Sequence, residues 1–198
     1  LVGSEMCIRD SYDAVAENLA KNKLMVNFHG ANTPTGEERS WPHEMSREGI
    51  YGGEQNIWAA IGGRHYCALP FTRLVSGHAD FTGGYFGHGP KLRGSSWPLQ
   101  MAANIIYTSP VLHWVSNPAD MEAAFPKGSP EREAVRNIPS VWDETIVLPP
   151  SAIGECAAFA RRSGDQWYIA LMNGDGRERT VSIPLDFLNR NCLLYTSD

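Results

Sequence analysis

Cysteine is sparse and unpatterned in this chain. The four cysteines stand at positions 7, 67, 156 and 192 with no Cys-x-x-Cys spacing, so neither a zinc site nor a disulfide framework is indicated. A basic stripe is missing too. With 17 lysines and arginines against 22 aspartates and glutamates, the formal net charge is -5, and nucleic acid is not an expected partner. No apolar run approaches a membrane span, and no basic segment leading into an apolar core marks a signal peptide at the start of the sequence. Internal repeats and low-complexity tracts are absent. The 198 residues, 42% hydrophobic and 20% charged, have the balance of an ordinary globular chain. They suffice for one medium domain, or for one domain and part of another.

Both ends read unlike their surroundings. Residues 1–10 (LVGSEMCIRD) and 192–198 (CLLYTSD) follow none of the patterns beside them and are taken as non-native ends, with frayed natural termini as the alternative. On the first reading only Cys67 and Cys156 are native cysteines.

Between the ends, two grammars follow one another. Ser11 to Asn22 reads as the end of a helix, with Val15 and Leu19 four apart and Ala16 and Ala20 beside them. Leu24 to Phe28 is a short, nearly continuous apolar run of the kind found in buried parallel strands. Helix, tight connection and buried strand suggest an α/β layer. A long loop, Asn27 to Glu54, then carries Pro34, Thr35, Gly36 and Pro42, and loops of this length usually have a function. Glu54 to Ala60 is expected to form a short helix. Cys67 to Val75 is another apolar segment, interrupted by Pro70 and followed by a glycine-rich polar loop from Ser76 to Gly84. Ser96-Trp97-Pro98 opens a helix that Pro110 bends or stops, and Ser129-Pro130 opens a further short one. After Pro139, the segments Glu144–Leu148, Glu155–Arg162, Gln166–Met172 and Arg177–Ile183 all read as strands. Ser163-Gly164-Asp165 and Asn173-Gly174-Asp175-Gly176 are the turn signals between them.

Chemistry is concentrated in the long loop. Glu48 and Glu54 lie six residues apart among glycines. A carboxylate pair of this kind serves acid/base work or holds a hard cation such as calcium; two solvated surface glutamates are the plain alternative. His29, at the end of the apolar run, can bind a sugar hydroxyl or a leaving group, or can simply fix the loop. Arg39 can clamp hydroxyls, or can be exposed or paired with Glu37 or Glu38. His78 and Asp80, with His65 and His88 near them, match no metal-ligand spacing such as HExxH. Trp41, Tyr51, Trp58, Phe81 and Tyr85 offer aromatic faces for sugar stacking, although core packing explains each singly.

Taken together, three ordered motifs resemble glycoside hydrolase family 97. HGANTPTGEERSWPHEMSREGIYGGE resembles the family's His-Gly (or His-Glu), Pro-Thr-Gly, Arg-Thr-Tyr-Pro-Asn, Glu, Gly-x-x-Glu succession. PFTRLVSGHADFTGG and PSVWDETIVL resemble two later stretches, the second of which opens the family's C-terminal β-domain. The resemblance covers roughly residues 12–190. It implies an α/β fold: the C-terminal part of a (β/α)8 TIM-type barrel over residues 11–138, then a small, truncated antiparallel β-sandwich domain over residues 139–191. It also implies an exo-acting α-glycosidase that is exported to the periplasm or secreted, with an oligosaccharide or other α-glycoside as substrate. No oligomeric state follows from it.

Residue by residue, Glu54 matches the family's general acid, and Glu48 a glutamate that ligates Ca2+. Glu54 is expected to touch that ion as well, while His29, Arg39 and Asp80 are expected to contact the substrate. Position 30 bears on mechanism. Inverting members carry a glutamate there, and retaining members carry glycine. Gly30 therefore implies retention through a covalent glycosyl-enzyme, with Glu54 as acid and then base and a nucleophile upstream of residue 11, roughly 5–5.5 Å from Glu54. Retaining members are α-galactosidases, which makes that the expected activity. An inverting α-glucosidase is the rival within the family, and a non-catalytic sugar- or calcium-binding module the rival of another class. Two departures, Ser40-Trp41-Pro42-His43 in place of Thr-Tyr-Pro-Asn and His78 in place of a proline, bear on substrate contacts. Half of such a barrel exposes sheet edges and apolar helix faces, so the 198 residues alone are expected to be inactive.

Overall fold

The computed structural model describes residues 2–87 and 92–188. His88 and Cys192, named above, lie outside them. Helix α1 runs over Val2–Lys21, so the helix read from Ser11 onward extends through residues 2–10 as well. Its apolar stripe is narrower than the spacing suggested. Ala16 is buried, whereas Val15 is exposed. Polar contacts supplement this small interface: Trp41 Nε1 donates to Asp13 at 3.0 Å, and His43 Nε2 lies 2.8 Å from the Ala16 carbonyl.

Strand β1 (Val26–Phe28) pairs in parallel with β2 (Glu44–Arg47), Phe28 opposite Arg47. The stretch expected to be irregular from Asn27 to Glu54 therefore holds a strand. It also holds a one-turn helix, α2 (Glu37–Ser40). The β2 sequence, Glu-Met-Ser-Arg, shows no hydrophobic alternation because its buried residues are polar: Glu44, Ser46 and Arg47 are all inside. They are satisfied by each other and by neighbours, which is the condition for burying such groups.

The polypeptide then folds into short helical pieces. A 3-10 turn over Gly53–Ile57 replaces the helix expected from Glu54 to Ala60. The apolar segment at Cys67–Val75 is the end of α3 (Gly63–Ala68) followed by two 3-10 turns, Leu69–Phe71 and Arg73–Ser76. Helix α4 (Trp97–Ile106) starts as its sequence signals: Ser96 caps it by accepting from the Leu99 amide, and Pro98 sits in its first turn. It ends at Ile106, before Pro110. Helix α5 (Pro118–Ala124) has the same start, with Asn117 as cap, and was not anticipated. Helix α6 (Pro130–Arg136) is capped by Ser129 as expected and buries Val135.

The C-terminal unit is a three-stranded antiparallel sheet, in the order β3 (Glu144–Val147), β4 (Cys156–Ser163), β5 (Gln166–Asn173). Ser163 pairs with Gln166, so Gly164-Asp165 makes a two-residue hairpin. Both faces of β4 and β5 are covered. Ala157, Phe159, Ala170 and Met172 join the main core with Tyr66, Cys67, Ala103 and Ile106. Trp167, Ile169 and Leu171 pack on the other face with Leu148, Ala158 and Ala160. The expected fourth strand at Arg177–Ile183 does not form. Asp175 accepts from the Arg177 amide, Asn173 Nδ2 binds the Arg177 carbonyl, and Arg179 pairs with Asp175 at 3.1 Å. Local side chains thus take both backbone groups of Arg177, where the strand would have begun. Among the described residues, no helix is long and apolar enough to cross a membrane.

Candidate functional site

The site is built where the parallel strands end. His29 and Gly30 follow β1 directly, and Glu48 follows β2. The Glu48 amide donates to the Phe28 carbonyl at 2.8 Å, so pairing continues one residue past each strand and aligns the two exits. Gly30 has a positive φ of 65°. Its amide donates to Glu48 Oε2 at 2.5 Å, fixing that carboxylate by one oxygen. Behind it, Arg73 donates to the carbonyls of Arg47 and Glu48 at 2.8 and 3.1 Å and to that of Gly49 at 2.9 Å, clamping the turn that presents Glu48.

Glu54 arrives on the 3-10 turn. The Gly53 amide donates to Phe81 O at 2.6 Å. A Cβ at Gly52 would stand 2.5 Å from that oxygen, and one at Gly53 would stand 2.6 Å from Thr82 O. Only a glycine pair permits this backbone approach, and it places Glu54 beside His29. His29 Nε2 is 3.4 Å from Glu54 Oε2 and 3.9 Å from Glu48 Oε1. The ligand atoms of His29, Glu48 and Glu54 all lie within 4.8 Å of one another. Among the described residues, neither glutamate has an ion pair with lysine or arginine. Two carboxylates converge here with one histidine between them. Such an oxygen set suits a hard cation such as calcium, which takes six to eight oxygen ligands, so Glu48 and Glu54 would furnish part of its shell.

Asp80 stands behind the histidine, with its side chain 2% exposed. Its Oδ2 accepts from Asn27 Nδ2 at 2.8 Å and lies 3.0 Å from His29 Nδ1, while Oδ1 lies 2.8 Å from His113 Nδ1. Burial pushes this carboxyl up, but the hydrogen bonds from Asn27, His113 and His29 outweigh burial and hold it below the usual aspartate value. For His29, burial works against the charged ring. The bond to Asp80 and the charges of Glu48, Asp80 and Glu54 prevail and raise its pKa.

The residues singled out from the sequence thus separate. His29, Glu48, Glu54 and Asp80 form one connected group. Asp80 is buried and touches protein groups through both oxygens. Arg39 is exposed on α2, and among the described residues no side-chain hydrogen bond or ion pair ties it to the group. His65 is taken by the Tyr51 carbonyl at 2.8 Å. His78 is held below its ordinary pKa by burial and sits in a small cavity with Glu38 and Arg47. Phe81 is core, between Tyr66 and Tyr107, while Tyr51 and Trp58 are exposed. Asn27, Arg73 and His113 were missed. For His113 a signal existed: Val111-Leu112 is a short apolar run ending in histidine, as is the run before His29. A cleft of about 490 Å³ between Gly63, Ser96, Leu99 and the Asn173–Gly176 turn is lined by none of the four grouped residues.

Comparison with known proteins identifies the family. Residues 4–50 match the family model described as Glycoside hydrolase 97, and residues 141–196 match Glycosyl-hydrolase 97 C-terminal, oligomerisation. A probable retaining alpha-galactosidase of Streptomyces bingchenggensis is 33% identical over 174 residues, covering 88% of this chain and 26% of its own length. A retaining alpha-galactosidase of Bacteroides thetaiotaomicron is 32% identical over 189 residues, 87% of this chain and 27% of its own. The chain thus spans about a quarter of the length of the curated relatives it matches. A glycoside hydrolase family 97 enzyme from Pseudoalteromonas sp. strain K8, solved with panose, superposes with a TM-score of 0.78 at 26% identity, over 91% of this chain and 29% of its own. Its structure with acarbose gives the same TM-score and coverage at 27% identity. With these matches in both sequence and structure, the chain belongs to glycoside hydrolase family 97.

Proposed function

We propose that the protein to which this chain belongs is a calcium-dependent, exo-acting α-galactosidase that hydrolyses its substrate with retention of anomeric configuration. The observation that carries this reading is the convergence of Glu54 and Glu48 on His29 Nε2, at 3.4 and 3.9 Å, beside a Gly30 that brings no third carboxylate. The retaining alpha-galactosidases among its relatives supply the substrate class. We place residues 11–138 in the later part of a (β/α)8 barrel. In support, β1, β2 and the segments around Asp80 and His113 lie side by side: the Asp80 amide donates to Arg47 O, the Ala79 amide to Thr108 O, and Gly83 bridges Trp114 in parallel. Chemistry on such a barrel sits at the C-terminal strand ends, where His29, Glu48 and Glu54 are found.

Glu54 is the group that donates a proton to the departing glycosidic oxygen. As the resulting carboxylate, it takes a proton from the water that releases the sugar from the enzyme. The carboxylate that attacks the anomeric carbon comes from outside these residues. Glu48, held by the Gly30 amide, would be a calcium ligand, and Glu54 would furnish a second carboxylate oxygen to the same ion. A bound calcium ion would orient sugar oxygens and lower the cost of negative charge at the site. Hydrogen bonded through Nδ1 to Asp80, His29 presents Nε2 to the glutamates and the substrate. By the same resemblance, the enzyme acts in the periplasm or outside the cell.

An inverting α-glucosidase is the second reading, favoured by the neighbours solved with panose and acarbose. The two are separated by NMR of the first-formed sugar from an aryl α-glycoside and the full-length enzyme. Initial release of the α-anomer of galactose is expected; initial release of the β-anomer sinks the retaining reading.

A further inference from the structure

One buried carboxylate holds two imidazoles by the same nitrogen. Asp80 Oδ2 is 3.0 Å from His29 Nδ1, and Oδ1 is 2.8 Å from His113 Nδ1. An ionised carboxylate only accepts, so both Nδ1 atoms donate. In a neutral ring this leaves Nε2 as the nitrogen with the free lone pair. For His29 that nitrogen faces Glu54 and Glu48. For His113 it has no protein partner among the described residues, and the side chain is 45% exposed.

The backbone also fixes His113. Val115 N donates to Gly83 O at 3.0 Å, and Gly83 bridges Trp114 in parallel. Gly84 packs so closely on the Trp114 ring that a Cβ there would stand 2.6 Å from its Cγ. An imidazole held from behind by a buried carboxylate, on a pinned segment, with its outer nitrogen open, is an acceptor prepared for a ligand donor. A purely space-filling histidine needs neither the buried anchor nor the open edge.

We propose that His113 contacts the substrate: its Nε2 accepts a hydrogen bond from a ring hydroxyl of the sugar bound beside Glu54, making His113 a specificity-determining residue paired with His29 through Asp80. This rests on the glycosidase function proposed above.

The test uses the full-length enzyme as wild type, His113→Ala and His113→Gln, with aryl α-galactosides, aryl α-glucosides and their monodeoxy analogues. For the preferred sugar, His113→Ala is expected to lower kcat/KM roughly five- to ten-fold, the worth of one neutral hydrogen bond. On the analogue lacking the contacted hydroxyl, wild type and variant should be equal. His113→Gln, whose Oε1 accepts, should recover part of the loss. A loss of the same size on every analogue, or no loss at all, overturns the proposal. Should wild type hydrolyse neither glycoside, the glycosidase reading itself fails. Calorimetric titration of galactose, glucose and their deoxy forms then decides His113 by the same criterion. Selective weakening supports the contact, and uniform weakening or no sugar binding overturns it.

Discussion

The Arg47 guanidinium meets the Glu44 carboxylate through two hydrogen bonds, Nε to Oε1 at 2.7 Å and Nη2 to Oε2 at 2.9 Å, with the two side chains only 1% and 2% exposed. Arg47 also lies over the rings of Tyr12 and Phe28 and donates to Asn32 at 2.8 Å, tying α1, β1, β2 and the loop together. Removing Glu44 takes away both charged hydrogen bonds and leaves the buried guanidinium only the longer contact with Glu37, 3.7 Å from Nη1. Glu44→Ala in the full-length enzyme is therefore expected to cost about 3–5 kcal/mol, seen as a lower denaturation midpoint in urea. A midpoint within experimental error of wild type would show that this pair does not hold the strand ends.

Glu54→Gln keeps the side chain's shape and removes its proton chemistry. The expected loss in kcat is about 10²- to 10⁴-fold on a natural α-galactoside, and much less on an aryl glycoside whose phenolate leaves unaided. The check is a series of leaving groups of graded acidity. Equal losses across the series would remove Glu54 from the acid role.

Chelation addresses the cation. Treating the enzyme with a calcium chelator is expected to abolish hydrolysis, and calcium should restore it where magnesium does not, because the smaller ion demands a tighter octahedral shell. Glu48→Gln should raise the calcium concentration needed for half-activation. Full activity in the chelator-treated enzyme would count against a metal role for Glu48.

Asp80 links the site to acid stability. Its folded pKa lies below its ordinary value of 3.8, so its contribution is present above the unfolded pKa and is lost as pH falls through the folded one. Asp80→Asn should lower stability near neutrality and flatten the fall in stability below about pH 4. Thermal unfolding from pH 7 to pH 3 tests this. Parallel curves for wild type and variant would mean that the carboxylate charge is not what the histidines use.

Arg161 joins the two parts of the molecule. From β4 it donates to Ile105 O at 2.9 Å and Thr145 Oγ1 at 3.0 Å, and it lies over the Trp142 ring. No carboxylate faces it among the described residues, and burial pushes its pKa down to about 10. Arg161→Met should cost about 1–3 kcal/mol by leaving the end of α4 without its donor. It should also slow hydrolysis, because the segment after α4 carries His113. A stability change with unaltered kinetics would confine Arg161 to the fold.

Much of this was legible because some local rules need only neighbouring residues. Ser96-Trp97-Pro98 and Ser129-Pro130 announce helix starts by capping, and Gly164-Asp165 announces a hairpin. Trp167, Ile169 and Leu171 announce a sheet face by alternation. The reading failed where buried residues are polar or short-range bonds compete. Glu44–Arg47 is a strand without hydrophobic alternation, since its inward groups satisfy one another. Arg177–Ile183 has strand composition, but Asp175 and Asn173 take the backbone groups of its first residue, Arg177.

The sequence alone determined the family motifs, the helix caps, the antiparallel unit and the identity of Glu48 and Glu54 as the carboxylates to watch, because each is written in adjacent residues. The tertiary structure decided the meeting of His29, Asp80 and His113. These lie 51 and 33 residues apart, and no spacing rule spans such distances. It took parallel segments from three parts of the chain, and glycines that let backbones touch, to bring two imidazoles onto one carboxylate.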